Sequence, residues 1–179
     1  MSEAPKNEQS EREPKVEVIG YTDEFKEQVK DLIYDVYEVE TGRYARGRDG
    51  RPDLNIIKEN YQDSGGNFWV AVESGKVIGT IGLLKQGKEI ASMHRFCVAK
   101  IFRGKGVSAK LFSTFLEFAE DQGYKKIVLG TTPDAKAAIK FYERSGFKKI
   151  ESLPEDTAKG ASLSHNELFY EIDLGKKEK

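Results

Sequence analysis

Two glycines, Gly104 and Gly106, lie between a predicted strand and a long predicted helix. Glycine lets the backbone turn sharply and lets a ligand approach it closely. The first amides of a helix have no partner within the helix, and they stand at the positive end of its dipole. Arg103, Lys105 and Lys110 add positive charge to the same segment. This pattern predicts a main-chain site for a phosphate or pyrophosphate.

The glycine turn also has other interpretations. An ordinary surface loop uses glycine for a turn and keeps basic side chains in water. Gly104-x-Gly106-x-x-Ala109 fits the G-x-G-x-x-G/A pattern of dinucleotide-binding folds. Against that fold, the next strand ends at Leu129-Gly130, where an acidic residue for the ribose would stand, and the turn lies past mid-chain. A nucleoside-triphosphate P-loop is excluded because the sequence has no G-x-x-x-x-G-K-[ST] segment.

Composition narrows the classes of function further. The 179 residues include 29 Lys plus Arg and 30 Asp plus Glu, so the balanced charge argues against a general nucleic-acid binder. A single cysteine, Cys97, and two distant histidines, His94 and His165, argue against a metal site. No run of about 18 apolar residues occurs, so we expect neither a transmembrane span nor a membrane partner. Because the polar N-terminus lacks a signal-peptide pattern, we expect a soluble, cytoplasmic protein.

Hydrophobic periodicity predicts the elements that position the turn. Three consecutive strands form an antiparallel meander, and the connection that carries the turn and the long helix leads to a parallel strand, with a right-handed crossover. In chain order the pattern predicts strand 15–21, helix 22–38, a loop at 42–51, a short helix from Pro52 to about Tyr61, strands 67–73, 76–85 and 89–99, helix 104–122, strand 126–129, helix 134–145, and strands 147–152 and 168–174.

These elements predict one α/β domain. We expect a mixed, mostly antiparallel twisted sheet of about seven strands with helices on both faces. The domain is expected to span 16–174, between a flexible N-terminal tail at 1–15 and a short C-terminal tail at 175–179.

Two segments together resemble the GNAT superfamily of N-acetyltransferases. Residues 103–108, RGKGVS, resemble its acetyl-CoA motif, R/Q-x-x-G-x-G/A. Residues 137–147, AAIKFYERSGF, are similar to its second signature, A-A-x-x-F/L-Y-E-x-x-G-F. The resemblance covers about 16–174 and implies the acyl-CoA N-acyltransferase fold. A weaker likeness, in 106–111 and 118–124, is to the camello branch, whose members are membrane-anchored and acetylate cysteine conjugates and protein lysines.

The resemblance implies direct transfer of an acetyl group from acetyl-CoA, the co-substrate, to a primary amine without a metal or a covalent intermediate. The main-chain N–H of Val98, with Cys97 beside it, would face the thioester carbonyl. Tyr142 falls at the family's tyrosine position and would protonate the leaving thiolate, although a purely core role is the alternative. The acetyl-CoA contacts implied by the match are Arg103, Gly104, Lys105, Gly106, Val107, Ser108 and Ala109.

The general base stays open at this point. His94 lies on the strand that leads to the motif, and the ordinary pKa of histidine suits removal of a proton from an ammonium group. Glu89 on the same strand, Glu38 and Glu40 after the first helix, and a chain of waters are alternatives. Alternation along the strand cannot choose among them, because the family's strand is bulged and a bulge reverses the alternation.

The acceptor has one clue, a basic loop. Arg43, Arg46, Arg48 and Arg51 favour an acceptor that carries a carboxylate or phosphate near its amine, and an ordinary solvated loop is the alternative. The acceptor itself is expected to be a small-molecule or peptide amine. An acyltransferase for longer acyl-CoA and a CoA-binding sensor without catalysis are the rival functions. A homodimer is compatible with the sequence.

Overall fold

The computed structural model describes residues 15–42, 51–155, 157 and 168–175. Apart from Lys15 and Gly175, the predicted tails lie outside the described residues, as does most of the basic loop, including Arg43, Arg46 and Arg48. Seven strands form one sheet in the order β1-β2-β3-β4-β5-β7-β6: β1 (Glu17–Gly20), β2 (Asn67–Glu73), β3 (Lys76–Lys85), β4 (Ile90–Val98), β5 (Lys126–Thr131), β6 (Lys148–Ile150) and β7 (Leu168–Asp173). The α-helices are α1 (Lys26–Thr41), α2 (Val107–Asp121) and α3 (Lys136–Arg144).

The sheet is antiparallel except where β4 pairs with β5. That parallel pairing is short, since it joins only Ile90–Ser92 to Lys126–Val128. Beyond these pairs β4 continues to Val98 and β5 to Thr131, so a gap opens between the two strands towards their C-terminal ends. The mixed, mostly antiparallel sheet predicted from the sequence is confirmed.

Helices cover both faces of the sheet, as predicted. Alternate side chains of β2 enter the two layers: Phe68 and Val70 belong to the cluster beneath α1, whereas Trp69 and Ala71 belong to the cluster beneath α2 and α3. This alternation follows from the two-residue period of a strand. The gap between β4 and β5 is therefore bordered by the α1 layer on one face of the sheet and by the α2–α3 layer on the other.

The short helix predicted from Pro52 is wrong in its form. The segment instead makes a 3-10 turn at Pro52–Asn55 and a π-helical turn at Lys58–Gln62. Ile56 between them has φ −132° and ψ 47°, which are not helical angles and end the first turn. Three large apolar and aromatic residues of this segment are nevertheless buried: Leu54, Ile57 and Tyr61.

The long helix predicted from Gly104 begins three residues later, at Val107. Gly104 and Gly106 have φ of 75° and 81°, so the chain is left-handed at both and cannot yet be helical. At the other end Gly123, with φ 80°, follows the helix in the way expected of a C-terminal glycine.

Candidate active site

The glycine turn lies at the open end of the gap between β4 and β5. A 3-10 turn at Lys100–Phe102 follows β4, and Gly106 then precedes α2 without any side-chain cap. The first intrahelical bond runs from the Lys110 N–H to the Gly106 carbonyl at 3.1 Å. The amides of residues 107–109 therefore have no acceptor within the helix.

Space in front of these amides is open. Gly104, Lys105 and Gly106 are exposed, and no protein atom lies within 4 Å of where a Cβ would stand at either glycine. A main-chain anion site needs unpaired amides and free access to them. The turn offers both, so its residues fit the diphosphate of a coenzyme.

The basic side chains of the turn are engaged in different ways. The Lys110 ammonium reaches the carbonyl of Val16 at 3.4 Å, near the edge of the sheet. The Lys105 ammonium stays beside the turn, 5.6 Å from the centre of the Phe102 ring. Lys105 is thus better placed than Lys110 to neutralise a bound anion.

The main-chain amide of Val98 points into the gap. The Ala99 N–H donates to the Ile78 carbonyl of β3 at 2.9 Å, and consecutive amides of a strand point to opposite edges. The Val98 carbonyl, on the same edge as its amide, accepts a hydrogen bond from Arg103 Nε at 3.1 Å. The Val98 N–H is therefore aimed at the position where a thioester carbonyl would lie.

Cys97 has the character of a core residue. Its side chain lies in the cluster beneath α1 and is only 5% exposed. Burial raises the pKa of the Cys97 thiol to about 12, so it stays protonated near neutral pH. A thiol in this state is a poor nucleophile, so the structure favours a core role for Cys97 over a role as a covalent carrier of the acetyl group.

The bulge expected in β4 is present, at Arg95. Gly82 pairs with His94 and Thr80 pairs with Cys97, so β4 holds one more residue than β3 in this interval. Arg95 has φ 50°, in the left-handed region. The side-chain alternation reverses across the bulge, which is why strand parity could not place His94.

Tyr142 combines a core position with contact to the gap. Its ring lies 6.4 Å from that of Phe96 on β4 and 6.2 Å from that of Tyr170 on β7. Burial raises the pKa of the Tyr142 hydroxyl above its ordinary value. Electrostatic interaction with Tyr37, Cys97 and Glu40 raises this pKa further. The phenol is therefore protonated near neutral pH, as a proton donor must be.

His94 is buried in a polar chain on the α1 side of β4. The Gln86 amide donates to Ser92 Oγ at 2.6 Å, and Ser92 Oγ lies 2.6 Å from His94 Nε2. Burial, with the positive charge of Arg95, lowers the pKa of His94 to about 3. The imidazole is neutral near pH 7, and its low pKa makes it a weak base for an ammonium group.

The other base candidates lie at opposite ends of the site. Glu89 is exposed beside the paired end of β4, away from the gap. Glu38 is half-buried near the end of α1. Glu40, close to Glu38, accepts a hydrogen bond from Arg103 at 2.8 Å. Of these three carboxylates, Glu40 is the one whose negative charge raises the pKa of both the Tyr142 hydroxyl and the Cys97 thiol.

Three residues of this region were not found by sequence reasoning: Tyr37, Asp53 and Arg95. The Arg51 guanidinium lies 3.7 Å from the centre of the Tyr37 ring. Arg95 forms an ion pair with Asp53 at 2.7 Å. The positive charges of Arg51 and Arg95 both oppose the rise in the pKa of the Cys97 thiol, so two guanidinium groups lie near one side of the gap. The only sequence signal was an arginine in the middle of a predicted strand.

The described ranges also bear on metal binding and on membrane spanning. No group of three or more His, Cys, Asp or Glu residues there is arranged to hold a metal ion. None of the described helices is both long enough and apolar enough to cross a membrane.

Known proteins match this chain in both sequence and structure. The profile of the "Acetyltransferase (GNAT) family" matches residues 30–147. "Probable N-acetyltransferase family 8 member 5" of Mus musculus is 35% identical over 108 residues, which is 58% of this chain and 48% of that protein. "N-acetylaspartate synthetase" of Xenopus tropicalis is 36% identical over 125 residues, which is 68% of this chain and 46% of that protein. The chain thus spans about half the length of the curated relatives it matches.

Solved structures agree with the fold. A GNAT-family acetyltransferase from Staphylococcus aureus Mu50 superposes with a TM-score of 0.81 at 29% identity, over 89% of this chain and 99% of that one. PaiA N-acetyltransferase from Thermoplasma acidophilum, solved with coenzyme A, gives a TM-score of 0.69 at 16% identity, over 89% and 99% of the two chains.

Proposed function

Because this chain belongs to the GNAT family of acetyltransferases, we propose that it transfers the acetyl group of acetyl-CoA directly to a primary amine. The observation that carries the proposal is the open glycine turn at the mouth of the gap, where the amides of residues 107–109 lack helical partners. A diphosphate bound there would lead its pantetheine arm along β4 into the gap.

The chain's own groups divide the chemistry into three tasks. The amides at the start of α2 bind the diphosphate. The Val98 N–H donates to the thioester carbonyl oxygen and stabilises the negative charge that develops on it. The Tyr142 hydroxyl gives its proton to the sulfur as the carbon–sulfur bond breaks and the amine nitrogen forms its bond to the acetyl carbon. The proton that the acylated nitrogen then releases restores the phenol.

The amine must lose a proton before it can attack. The low pKa of His94 weakens it as a base, and the carboxylate of Glu40 is engaged by Arg103. We propose that water carries the ammonium proton out of the gap, which was the alternative to one catalytic base.

We further propose that the acceptor carries a carboxylate next to its amine. Arg95 pairs with Asp53 and Arg103 pairs with Glu40, whereas the guanidinium of Arg51 lies over the Tyr37 ring, so Arg51 adds a positive charge beside two ion pairs on the α1 side of the gap. One relative is named for the synthesis of an acetylated amino acid, N-acetylaspartate.

The test is an amine panel assayed by release of CoA thiol, together with calorimetric titration of acetyl-CoA. Aspartate, glutamate and glycine should be better acceptors than tyramine or spermidine, which carry no carboxylate. Arg51→Gln should raise the KM for aspartate, whereas Arg144→Gln, on an exposed end of α3, should not.

Each result has a defined meaning. If tyramine or spermidine is preferred, the anionic acceptor is wrong. Acetyl-CoA binding without turnover of any amine would point to the CoA-binding sensor, and absence of binding would remove the whole proposal.

A further inference from the structure

Asp53 and Arg95 form the most buried ion pair that the described residues contain. Arg95 Nε donates to Asp53 Oδ2 at 2.9 Å and Arg95 Nη2 donates to Oδ1 at 2.7 Å, so the contact is bidentate. The side chains are 7% and 19% exposed. The Tyr61 hydroxyl, itself fully buried, donates to the same carboxylate at 3.1 Å. We call this arrangement of Asp53, Arg95 and Tyr61 the clasp.

Stability alone is a weak reason for such a pair. Taking a guanidinium and a carboxylate out of water is costly, and apolar side chains of similar volume often stabilise a fold equally well. A bidentate pair does supply geometric precision, because the planar fork accepts a carboxylate in one orientation. The clasp therefore suits a role in holding two segments of the chain in a fixed relative position.

The backbone of Arg95 gives an independent indication. Among the described residues, only Ser74, in a hairpin turn, and Arg95 combine a side chain with a left-handed φ. The Thr80 hydroxyl donates to the Arg95 carbonyl at 2.7 Å and holds the bulge from the β3 side. Left-handed residues with side chains persist where the surroundings enforce them, and they cluster at functional sites.

The clasp connects two parts of what we call the acceptor side. These are the region of Arg51, where the carboxylate of the acceptor is proposed to bind, and the part of β4 that lines the gap. Asp53 stands two residues after Arg51, whose guanidinium covers the Tyr37 ring. Arg95 stands directly before the part of β4 that lines the gap, where Phe96 packs against the rings of α3 and Val98 turns its amide inward. A shift at this one ion pair would move both the proposed carboxylate site and the wall beside Tyr142.

We propose that the clasp is a positioning device that holds the 51–62 segment against the β4 bulge and so sets the geometry of the acceptor side. Asp53 and Arg95 are positioning residues in this proposal, and the glycine turn binds acetyl-CoA independently of them. The inference rests on the proposed acetyl transfer for its kinetic consequence, but its structural part does not depend on that function.

The experiment compares Asp53→Asn and Arg95→Lys with a matched control, Asp63→Asn. Asp63 lies directly after the 51–62 segment and pairs with Lys58 at 2.8 Å, but that pair is exposed. Asp53→Asn removes the charge, and Arg95→Lys replaces the planar fork by a single ammonium. Each variant is assayed well below its melting temperature with the best aminocarboxylate of the panel, and acetyl-CoA binding is measured by calorimetry.

We expect both clasp variants to raise the KM for the acceptor about tenfold through misplacement of the acceptor side. The Kd for acetyl-CoA should stay within about twofold of the parent, since the glycine turn is untouched. Hydrogen exchange of the amides in 52–62 should speed up in these variants and stay unchanged in Asp63→Asn. A general loss of fold would instead change acetyl-CoA binding as well.

Arg95→Gly separates the side chain from the backbone. Glycine accepts φ 50° without strain, so the bulge can persist while the guanidinium is lost. Acceptor KM and exchange rates like those of Asp53→Asn would support the clasp, whereas values like those of the parent would overturn it. If the parent itself transfers acetyl to no amine, the proposed function fails, and the exchange rates still decide whether the clasp holds the segment.

Discussion

The guanidinium of Arg103 reaches the carboxylate of Glu40 at 2.8 Å, although the two residues lie 63 positions apart in the chain. Its Nε donates at the same time to the carbonyl of Val98 at 3.1 Å. One side chain therefore joins the C-terminal end of α1 to the end of β4, directly before the glycine turn. Arg103 contributes to the site by bracing it as well as by its charge.

Arg103→Lys should weaken acetyl-CoA binding because an ammonium cannot reproduce both hydrogen bonds of the guanidinium. We expect the Kd to rise about fivefold, the equivalent of one lost hydrogen bond. Calorimetric titration measures it. Arg144→Lys is the control, since Arg144 Nε also donates to a main-chain carbonyl, that of Lys140 at 3.2 Å, but on an exposed helix end. Equal affinities for the two variants would refute the bracing role.

Gly106→Ala should weaken acetyl-CoA binding by more than its effect on the free energy of unfolding explains. Gly106 and Gly123 precede and follow α2 with φ of 81° and 80°, and neither has a protein atom within 4 Å of its missing Cβ. Alanine at either position should lower the free energy of unfolding by about 1 kcal/mol through left-handed strain. Urea unfolding and calorimetry together separate the effects, since only Gly106→Ala should raise the Kd for acetyl-CoA. Weakened binding in both variants would show that helix stability alone is responsible.

Tyr142→Phe should slow turnover while leaving acetyl-CoA affinity unchanged. The phenylalanine ring keeps the contacts with Phe96 and Tyr170 but has no proton to give the leaving sulfur. We expect kcat to fall about tenfold or more. Tyr124→Phe serves as the comparison, because Tyr124 is also buried but lies near the paired end of β4 and β5. A kcat equal to that of the parent would remove Tyr142 from the mechanism.

The buried state of His94 predicts how stability depends on pH. Burial, with the charge of Arg95, lowers the pKa of His94 to about 3, whereas in the unfolded chain it has the ordinary value near 6.5. Between these values the unfolded chain binds a proton that the folded chain excludes. This contribution to stability is complete above the unfolded pKa and is lost as the pH falls towards 3, by up to about 1.4 kcal/mol per pH unit.

His94→Gln should therefore flatten the fall of stability between pH 7 and pH 5, measured as the free energy of urea unfolding. His165→Gln removes the other histidine, which lies outside the described residues, and is the reference for an unspecific effect. If both variants keep the parent's slope, His94 titrates normally in the folded protein.

Local patterns were enough for much of the architecture. Ser74 and Gly75, with φ of 50° and 76°, form the turn that joins β2 to β3, two strands that the sequence predicts as antiparallel neighbours. The long helix α2 also appears where the apolar period predicts it, as does the parallel pairing of β4 with β5. The motif at 103–108 located the glycine turn, because a turn of this kind depends on residues that are adjacent in the chain.

The sequence by itself determined the strands and α-helices of the described residues, where the glycine turn stands and which tyrosine follows it. Only the tertiary structure decided that Arg95 pairs with Asp53, 42 residues earlier, and that Arg103 pairs with Glu40. It also decided that the expected bulge lies at Arg95 and that two short helical turns begin at Pro52. Periodicity reports the face of a residue within its own element, whereas these features depend on which distant side chain reaches the same space once the elements have packed.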